Sequence, residues 1–202
     1  MFKNNTEITS FDEFVHFSGI KRLTDTFQNC TSLINIALPT SITEVTGPTF
    51  SGTPNLTGVL NFCNVVNLSK SFIVYNCGAE YIYMPKVKEI LGDYSSYWYM
   101  SGPFSGERNV YAHFKELYFH DIESINEGNF CYLSRCVAII IDNVVPPVLN
   151  GINILRHNTC TPIIYVPDES VETYKTAGNW NEHTEVIKPL SEHTGVKWWK
   201  NL

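Results

Sequence analysis

The stretch that decides the fold is LTDTFQNCTSLINIALPTSITEV, residues 23–45. Counted from Ile36, its apolar residues stand at positions −9, −6, −3, 0 and +2, with Phe27 first and Leu38 last. Alternation of period two around Ile36 predicts a short β-strand with one buried face. Pro39 follows the run, and a residue without an N–H closes a strand.

The same apolar pattern recurs along the chain. It predicts six strand centres: Ile36, Val59, Ile82, Leu117, Ile139 and Ile164. Extended back to position −17, the pattern is apolar at all seven positions around Ile139, at six around Ile82 and at five around Val59. The centres are 22 to 25 residues apart except for the step of 35 residues from Ile82 to Leu117, which is 12 residues longer than the repeat.

One strand per repeat of this length predicts a β-rich α+β solenoid of about six turns with one 12-residue insertion.

The terminal turns of a solenoid need caps that cover their exposed core. Ser10-Phe-Asp-Glu13 forms a capping box that predicts a helix at the start, and Val171, Tyr174 and Ala177 share one helical face near the end. We predict a single domain made of these parts: 1–19 as N-terminal cap, 20–167 as repeats and 168–202 as C-terminal cap. Trp198-Trp199 either packs on that cap or is exposed.

Residues 23–45 resemble the BspA-like leucine-rich repeat of bacterial surface proteins, and residues 164–175 with 186–189 are similar to the end of such arrays. The resemblance implies a curved leucine-rich-repeat solenoid, a role in adhesion, and a location at the cell surface or outside the cell. That family has no catalytic motif, so the resemblance assigns no functional residue. Asn61 and Asn76 depart from the pattern at positions that are otherwise apolar.

Composition and charge exclude several classes of partner. The formal net charge is −6 and no basic block occurs, which argues against nucleic acid or an anionic membrane surface. The longest apolar run, Cys136–Ile141, is far shorter than the roughly twenty residues of a membrane-spanning helix. The N-terminus lacks the apolar stretch of a secretory signal, so the sequence does not decide the cellular compartment.

Motifs for chemistry are missing from the sequence. Six histidines form no HExxH motif, six cysteines form no CxxC motif, and no phosphate-binding glycine loop occurs. Cys30 and Cys136 occupy positions of the apolar pattern, which favours buried free thiols over a redox role. The sequence therefore predicts no enzyme, no catalytic residue, no metal site and no cofactor.

Aromatic residues mark the first candidate binding surface. The outward positions next to the strand centres are Ala37, Leu60, Tyr83, Tyr118, Ile140 and Tyr165, with Tyr81 beside Ile82. If the strands stack in register, Tyr81, Tyr83, Tyr118 and Tyr165 lie together on an exposed sheet face suited to protein or sugar contacts. The alternative is that tyrosine is there because of its β-propensity alone.

The insertion is the second candidate. Its stretch 91–110 contains four aromatic residues in six positions: Tyr94, Tyr97, Trp98 and Tyr99. Insertions in repeat proteins map to loops that often lie on the binding face, so we predict a protruding loop that contacts a ligand. The alternative is a loop that folds back and buries its own rings.

These features favour a non-enzymatic binding or adhesion module that recognises a protein or a glycan. The alternative is a structural or assembly subunit that uses the same aromatic surface to oligomerise. An enzyme such as a glycan hydrolase would instead require two carboxylates about 5–10 Å apart in a groove. The sequence decides neither the oligomeric state nor the ligand.

Overall fold

The structure is a computed structural model that describes residues 2–69, 76–95, 99–104 and 114–202. Short β-strands dominate the described residues, and most of them pair in parallel. In chain order the strands are β1 Ser10–Phe11, β2 Arg22–Thr24, β3 Asn35–Ile36, β4 Glu44–Thr46, β5 Val59–Asn61, β6 Asn67–Leu68, β7 Tyr81–Met84, β8 Glu89–Ile90, β9 Asp93–Ser95, β10 Tyr99–Ser101, β11 Glu116–Phe119, β12 Ser124–Asn126, β13 Ala138–Ile141, β14 Val148–Asn150, β15 Ile163–Val166 and β16 Ile187–Pro189.

Helices are short and lie towards the two ends of the chain. The α-helix α1 spans Val171–Thr176. The 3-10 helices span Asp12–His16, Asp168–Ser170, Gly178–Val186, Leu190–Glu192 and Trp198–Asn201. Among the described residues, a helix with the length and apolar character needed to cross a membrane does not occur.

A six-stranded parallel sheet forms the main layer. Its strands lie side by side in chain order: β5, β7, β11, β13, β15 and β16. One row of residues pairs across the whole sheet and points into the core: Leu60, Ile82, Leu117, Ile139, Ile164 and Ile187. Each of these side chains is buried, so burial of this apolar row is what holds the strands in register.

Two three-stranded parallel sheets form a second layer, β2-β4-β6 and β8-β12-β14. Their central residues pair as Leu23–Val45–Leu68 and as Ile90–Ile125–Leu149, and all six are buried in the same core as the main sheet. The apolar pattern contains Val45, Leu68 and Ile125 at its position −14. The sequence predicts no strand there, because an isolated apolar residue among polar ones gives no alternation.

The predicted centre at Val59 is wrong by one residue. Leu60, not Val59, pairs with Ile82. Leu60 is therefore buried, whereas the sequence pattern predicts that it faces outward. The shift places Phe62, which is also buried, where the pattern predicted Asn61. Burying Leu60 and Phe62 removes two large apolar side chains from water, whereas the predicted register would have buried an asparagine.

The ends of the predicted strand order also differ. The strand at Ile36, β3, pairs with β1 in a separate two-stranded sheet and has no place in the six-stranded sheet. A backbone hydrogen bond of 2.9 Å from Thr57 to Ile34 nevertheless links its loop to the next repeat. At the other end, β16 lies in the segment predicted as C-terminal cap and adds the sixth strand.

The N-terminal capping box does not form. Ser10 belongs to β1, and the 3-10 helix that follows has Phe11 at its N-cap position without a side-chain cap. Ser10 Oγ instead donates to Asp12 Oδ2 at 3.3 Å. Pairing of β1 with β3 extends Ser10 as a strand, which removes the backbone N–H arrangement that a capping box needs.

All six cysteines are free thiols. Cys30 and Cys136 are buried, as the apolar pattern predicts. Burial raises the pKa of both thiols, since a thiolate loses its hydration in the core.

The insertion carries an antiparallel hairpin of β9 and β10. The backbone at its base packs closely against the Asn129 side chain. A Cβ atom on Gly92 would lie 2.7 Å from Asn129 Nδ2, and a Cβ atom on Gly102 would lie 2.4 Å from Asn129 Oδ1. After the hairpin, Phe104 enters the core and stacks on Phe130 with ring centroids 5.9 Å apart. The insertion therefore contributes a buried side chain, Phe104, to the hydrophobic core.

We expect Gly102→Ala to lower the free energy of unfolding by about 1–3 kcal/mol, as overpacking does. The added Cβ would lie 2.4 Å from Asn129 Oδ1 and 2.8 Å from Gly128 O, so the backbone must move. Urea denaturation measures the loss. Gly19→Ala is the control, because a Cβ there meets no atom within 4 Å. Equal stability of the two variants would contradict this anchoring.

Candidate interaction face

The outward surface of the six-stranded sheet, here called the sheet face, carries two rows of paired residues. The first row is Val59, Tyr81, Glu116, Ala138 and Ile163. The second row is Asn61, Tyr83, Tyr118, Ile140, Tyr165 and Lys188. All four tyrosines predicted for this surface therefore lie on one face, because period-two alternation places them opposite the buried row.

The sequence predicts that the sheet face is exposed to solvent, but the structure shows it covered. The C-terminal tail, residues 190–202, lies across it and forms a separate apolar cluster with Trp198 and Trp199 against Tyr118, Ala138 and Ile140. Tyr118 keeps 6% of its exposure, and the other three tyrosines are partly buried. Two indoles left in water would expose a large apolar area, and the aromatic sheet face is where the tail buries them.

Ring contacts define how the tail is seated. Trp198 lies 4.9 Å from the Tyr81 ring, and Trp199 stacks on Tyr118 at 5.6 Å with an interplanar angle of 25°. Trp198 and Trp199 meet each other edge to face at 5.6 Å. His193 meets Tyr165 at 4.9 Å in the same geometry. Such offset and edge-to-face pairs stabilise beyond their area, by about 0.5–1.5 kcal/mol each.

A buried carboxylate lies beneath the tail. Glu116 is 7% exposed, and Trp198 Nε1 donates to its Oε2 at 2.5 Å. In the tautomer with a proton on Nε2, His193 donates to Glu116 Oε1 at 3.3 Å. A carboxylate removed from water needs such donors, so the tail satisfies a charge that the sheet has placed among apolar residues.

Tyr118 also has a hydrogen-bond partner outside the tail. Its hydroxyl donates to Asp142 Oδ2 at 2.8 Å. Burial, reinforced by the Asp142 carboxylate, raises the pKa of Tyr118 well above the usual range of tyrosine. Burial also raises the pKa of Tyr83 and Tyr165.

We expect the protein to lose stability above about pH 10, where tyrosine in the unfolded chain ionises. The folded-state pKa of Tyr118 is raised, so its contribution is complete below the unfolded pKa and falls as the pH rises beyond it. Tyr118→Phe removes the hydrogen bond to Asp142 and should cost about 1.5 kcal/mol at neutral pH. Urea denaturation at pH 8 and pH 10.5 should show the difference between variant and wild type shrinking. A constant difference would contradict the raised pKa.

The hairpin residues are described by the pairing of their backbones. Tyr94 on β9 pairs with Met100, and Tyr99 on β10 pairs with Ser95. Tyr97 and Trp98 lie outside the described residues, so their contribution to binding stays a prediction.

The residues that complete the site do not stand out in the sequence pattern. Glu116 was a detectable exception, since it is a charged residue at an outward position beside tyrosines. Trp198 and Trp199 were visible as a pair, but no periodicity connects residue 198 with a strand some 80 positions earlier. His193 gave no signal at all.

Two further concavities contain none of the predicted site residues. One cavity of about 350 Å³ is lined by Glu44, Val66, Lys88 and Leu91 among others. A second, of about 320 Å³, lies beside His183, whose pKa is lowered by burial. Within the described ranges, His, Cys, Asp and Glu side chains form no group of three that could hold a metal ion.

Neither a known family model nor a curated protein matches the chain.

Proposed function

We propose that the protein is a non-enzymatic binding module, a leucine-rich-repeat solenoid of the BspA-like kind that recognises a protein or a glycan at a cell surface or outside the cell. The observation that carries the proposal is the sheet face, on which four tyrosines from three strands lie together. Parallel strands that follow one another in chain order support the solenoid.

The chemistry of the sheet face suits recognition. Tyrosine offers a large apolar ring and a polar tip at a low cost in side-chain entropy, which is why it is enriched at interfaces. Val59, Asn61, Tyr81 and Tyr83 are partly exposed at the edge of the area that the tail covers. We include the hairpin residues Tyr94, Tyr97, Trp98 and Tyr99 in the proposed contact surface on the basis of the sequence.

A different observation favours the alternative, an assembly subunit. Val144, Val145 and Val148 are 61%, 74% and 62% exposed within five residues of each other. Apolar side chains grouped at a surface mark contact sites between proteins. A self-associating protein would use this group together with the sheet face.

The test is a glycan array and a screen of extracellular proteins, both with the full chain. Any partner found should bind Tyr83→Ala at least about tenfold more weakly, since truncating an aromatic anchor typically costs 1–2 kcal/mol or more. Val66→Ala, next to β6 in the second layer of the fold, is the matched control and should bind as wild type does. A partner that binds both variants equally would remove the sheet face from the proposal.

Light scattering separates the two functions. A monomer that binds a partner supports the binding module. A stable oligomer that Val145→Lys dissociates, without any partner in the screen, supports the assembly subunit instead.

A further inference from the structure

Side chains, rather than strand pairing, attach the tail to the sheet face. Outside its 3-10 helices, backbone hydrogen bonds donated by the tail close within it: His193 N to Leu190 O, Trp198 N to Val196 O and Lys200 N to Lys197 O. Ser191 N, near its start, donates to Asp168 Oδ1 at 2.9 Å. The contact with the sheet therefore consists of aromatic rings, the Leu190 side chain and the two hydrogen bonds to Glu116.

The link between the two halves of the tail is exposed. Thr194, Gly195 and Val196 all lie on the surface, and Val196 is 77% exposed. The cluster under the tail is also distinct from the main core, from which the sheet separates it. Trp198 and Trp199 can therefore leave the sheet face without opening the core.

Glu116 makes the face selective for an indole. Trp198 places its ring against Tyr81 and its Nε1 hydrogen on the carboxylate at once. A phenylalanine in that position would keep the ring contact but leave Glu116 Oε2 without its donor. Loss of the donor to such a buried group weakens binding at least about tenfold.

The tail does not satisfy every polar group it buries. His193 Nδ1 is buried and has no hydrogen-bond partner among the residues that the structure describes. A ligand that formed a hydrogen bond at this position, or that placed no polar atom there, would bind the sheet face more tightly than the tail does. The tail is thus a ligand that another segment of the same type can outcompete.

We propose that the sheet face is a receptor for a peptide segment that carries adjacent tryptophans next to basic residues, and that the tail is its built-in occupant, displaced by such a partner. Lys197 and Lys200 flank the indoles in the tail, and the chain as a whole is acidic with a net charge of −6. The inference rests on the proposed binding function and narrows it from protein or glycan to a tryptophan-containing peptide.

The experiment opens the face in the full chain with Trp198→Ala/Trp199→Ala. The probe is a fluorescently labelled synthetic peptide of residues 193–202, HTGVKWWKNL, titrated by anisotropy. The double variant should bind the peptide. Wild type should bind it at least tenfold more weakly, because a tethered tail competes at an effective concentration of roughly millimolar.

Two controls test the selectivity. The same peptide with Trp198→Phe should bind the double variant at least about tenfold more weakly, since it lacks the indole donor. Adding Glu116→Gln to the double variant should weaken the native peptide and narrow its preference over the phenylalanine form. Equal affinity for both peptides would overturn the assigned role of Glu116.

Circular dichroism and urea denaturation establish whether the double variant is folded. If it is not, full-chain Trp198→Phe replaces it, because this change keeps a ring on Tyr81 and only loosens the tail. A folded variant that fails to bind the peptide overturns the inference.

The outcomes for this inference and for the proposed function differ. A partner from the screen that binds wild type and the opened variant equally leaves the binding function standing and rejects displacement of the tail. Peptide binding by the opened variant, with neither a partner nor a glycan found in the screen, supports the receptor face and rejects the broader function.

Discussion

Phe130→Ala should lower the free energy of unfolding by about 3–5 kcal/mol, the cost of removing a fully buried phenylalanine. Phe130 is 0% exposed and contacts Phe104 and Phe119, so its loss leaves a cavity between the insertion and the sheet. The residue adopts a φ of 56°. Alanine meets the same steric cost in that region, so the backbone contributes little to the difference.

Urea denaturation of both proteins measures the change through the transition midpoint. Val144→Ala is the matched control, because it also shortens an apolar side chain but at a position that is 61% exposed. It should stay within about 0.5 kcal/mol of wild type. A midpoint for Phe130→Ala that equals the control would show that Phe130 does not belong to the core.

Leu60→Ala should cost about 2–4 kcal/mol, whereas Val59→Ala should cost under about 1 kcal/mol. Leu60 is 1% exposed and pairs with Ile82 in the buried row, while Val59 is partly buried and faces the tail. The contrast follows from the one-residue shift of the register. The repeat pattern of the sequence predicts the opposite order, with Val59 inside.

Parallel urea titrations of the two variants decide between these registers. The two substitutions are adjacent in one strand, so differences in the unfolded state largely cancel. A larger loss for Val59→Ala would place Val59 in the core and reject the register of β5.

Much of the sheet could be predicted from the sequence because burial and strand period act locally. Around Ile139 every position of the pattern is apolar, and the predicted pairing of Leu117, Ile139 and Ile164 agrees with the structure. Where the pattern was weaker, at Val59, two neighbouring apolar residues competed for the core. The choice between them depended on Phe62 and on the partner strand, which no single repeat contains.

The candidate site was likewise predictable from the sequence only in part. Period-two alternation was sufficient to bring Tyr81, Tyr83, Tyr118 and Tyr165 to one face. Their exposure was not predictable, since it depends on Trp198 and its neighbours, and Trp198 lies 82 residues after Glu116 along the chain. The insertion was found from its length, but its anchoring at Asn129 follows from close approaches of glycine backbone that composition does not indicate.

The sequence by itself determined the repeat, the strand at most repeat centres and the aromatic character of the outward rows. These features follow from apolar side chains at fixed intervals, because burial at each interval stabilises the same local structure again. Only the tertiary structure decided the register at Leu60, the second layer of strands and the cover over the sheet face. Each of these depends on contacts between residues far apart in the chain, whose geometry exists only once the sheet has formed. The buried Glu116 carboxylate and the indole of Trp198 are the clearest case, since each needs the other to be satisfied.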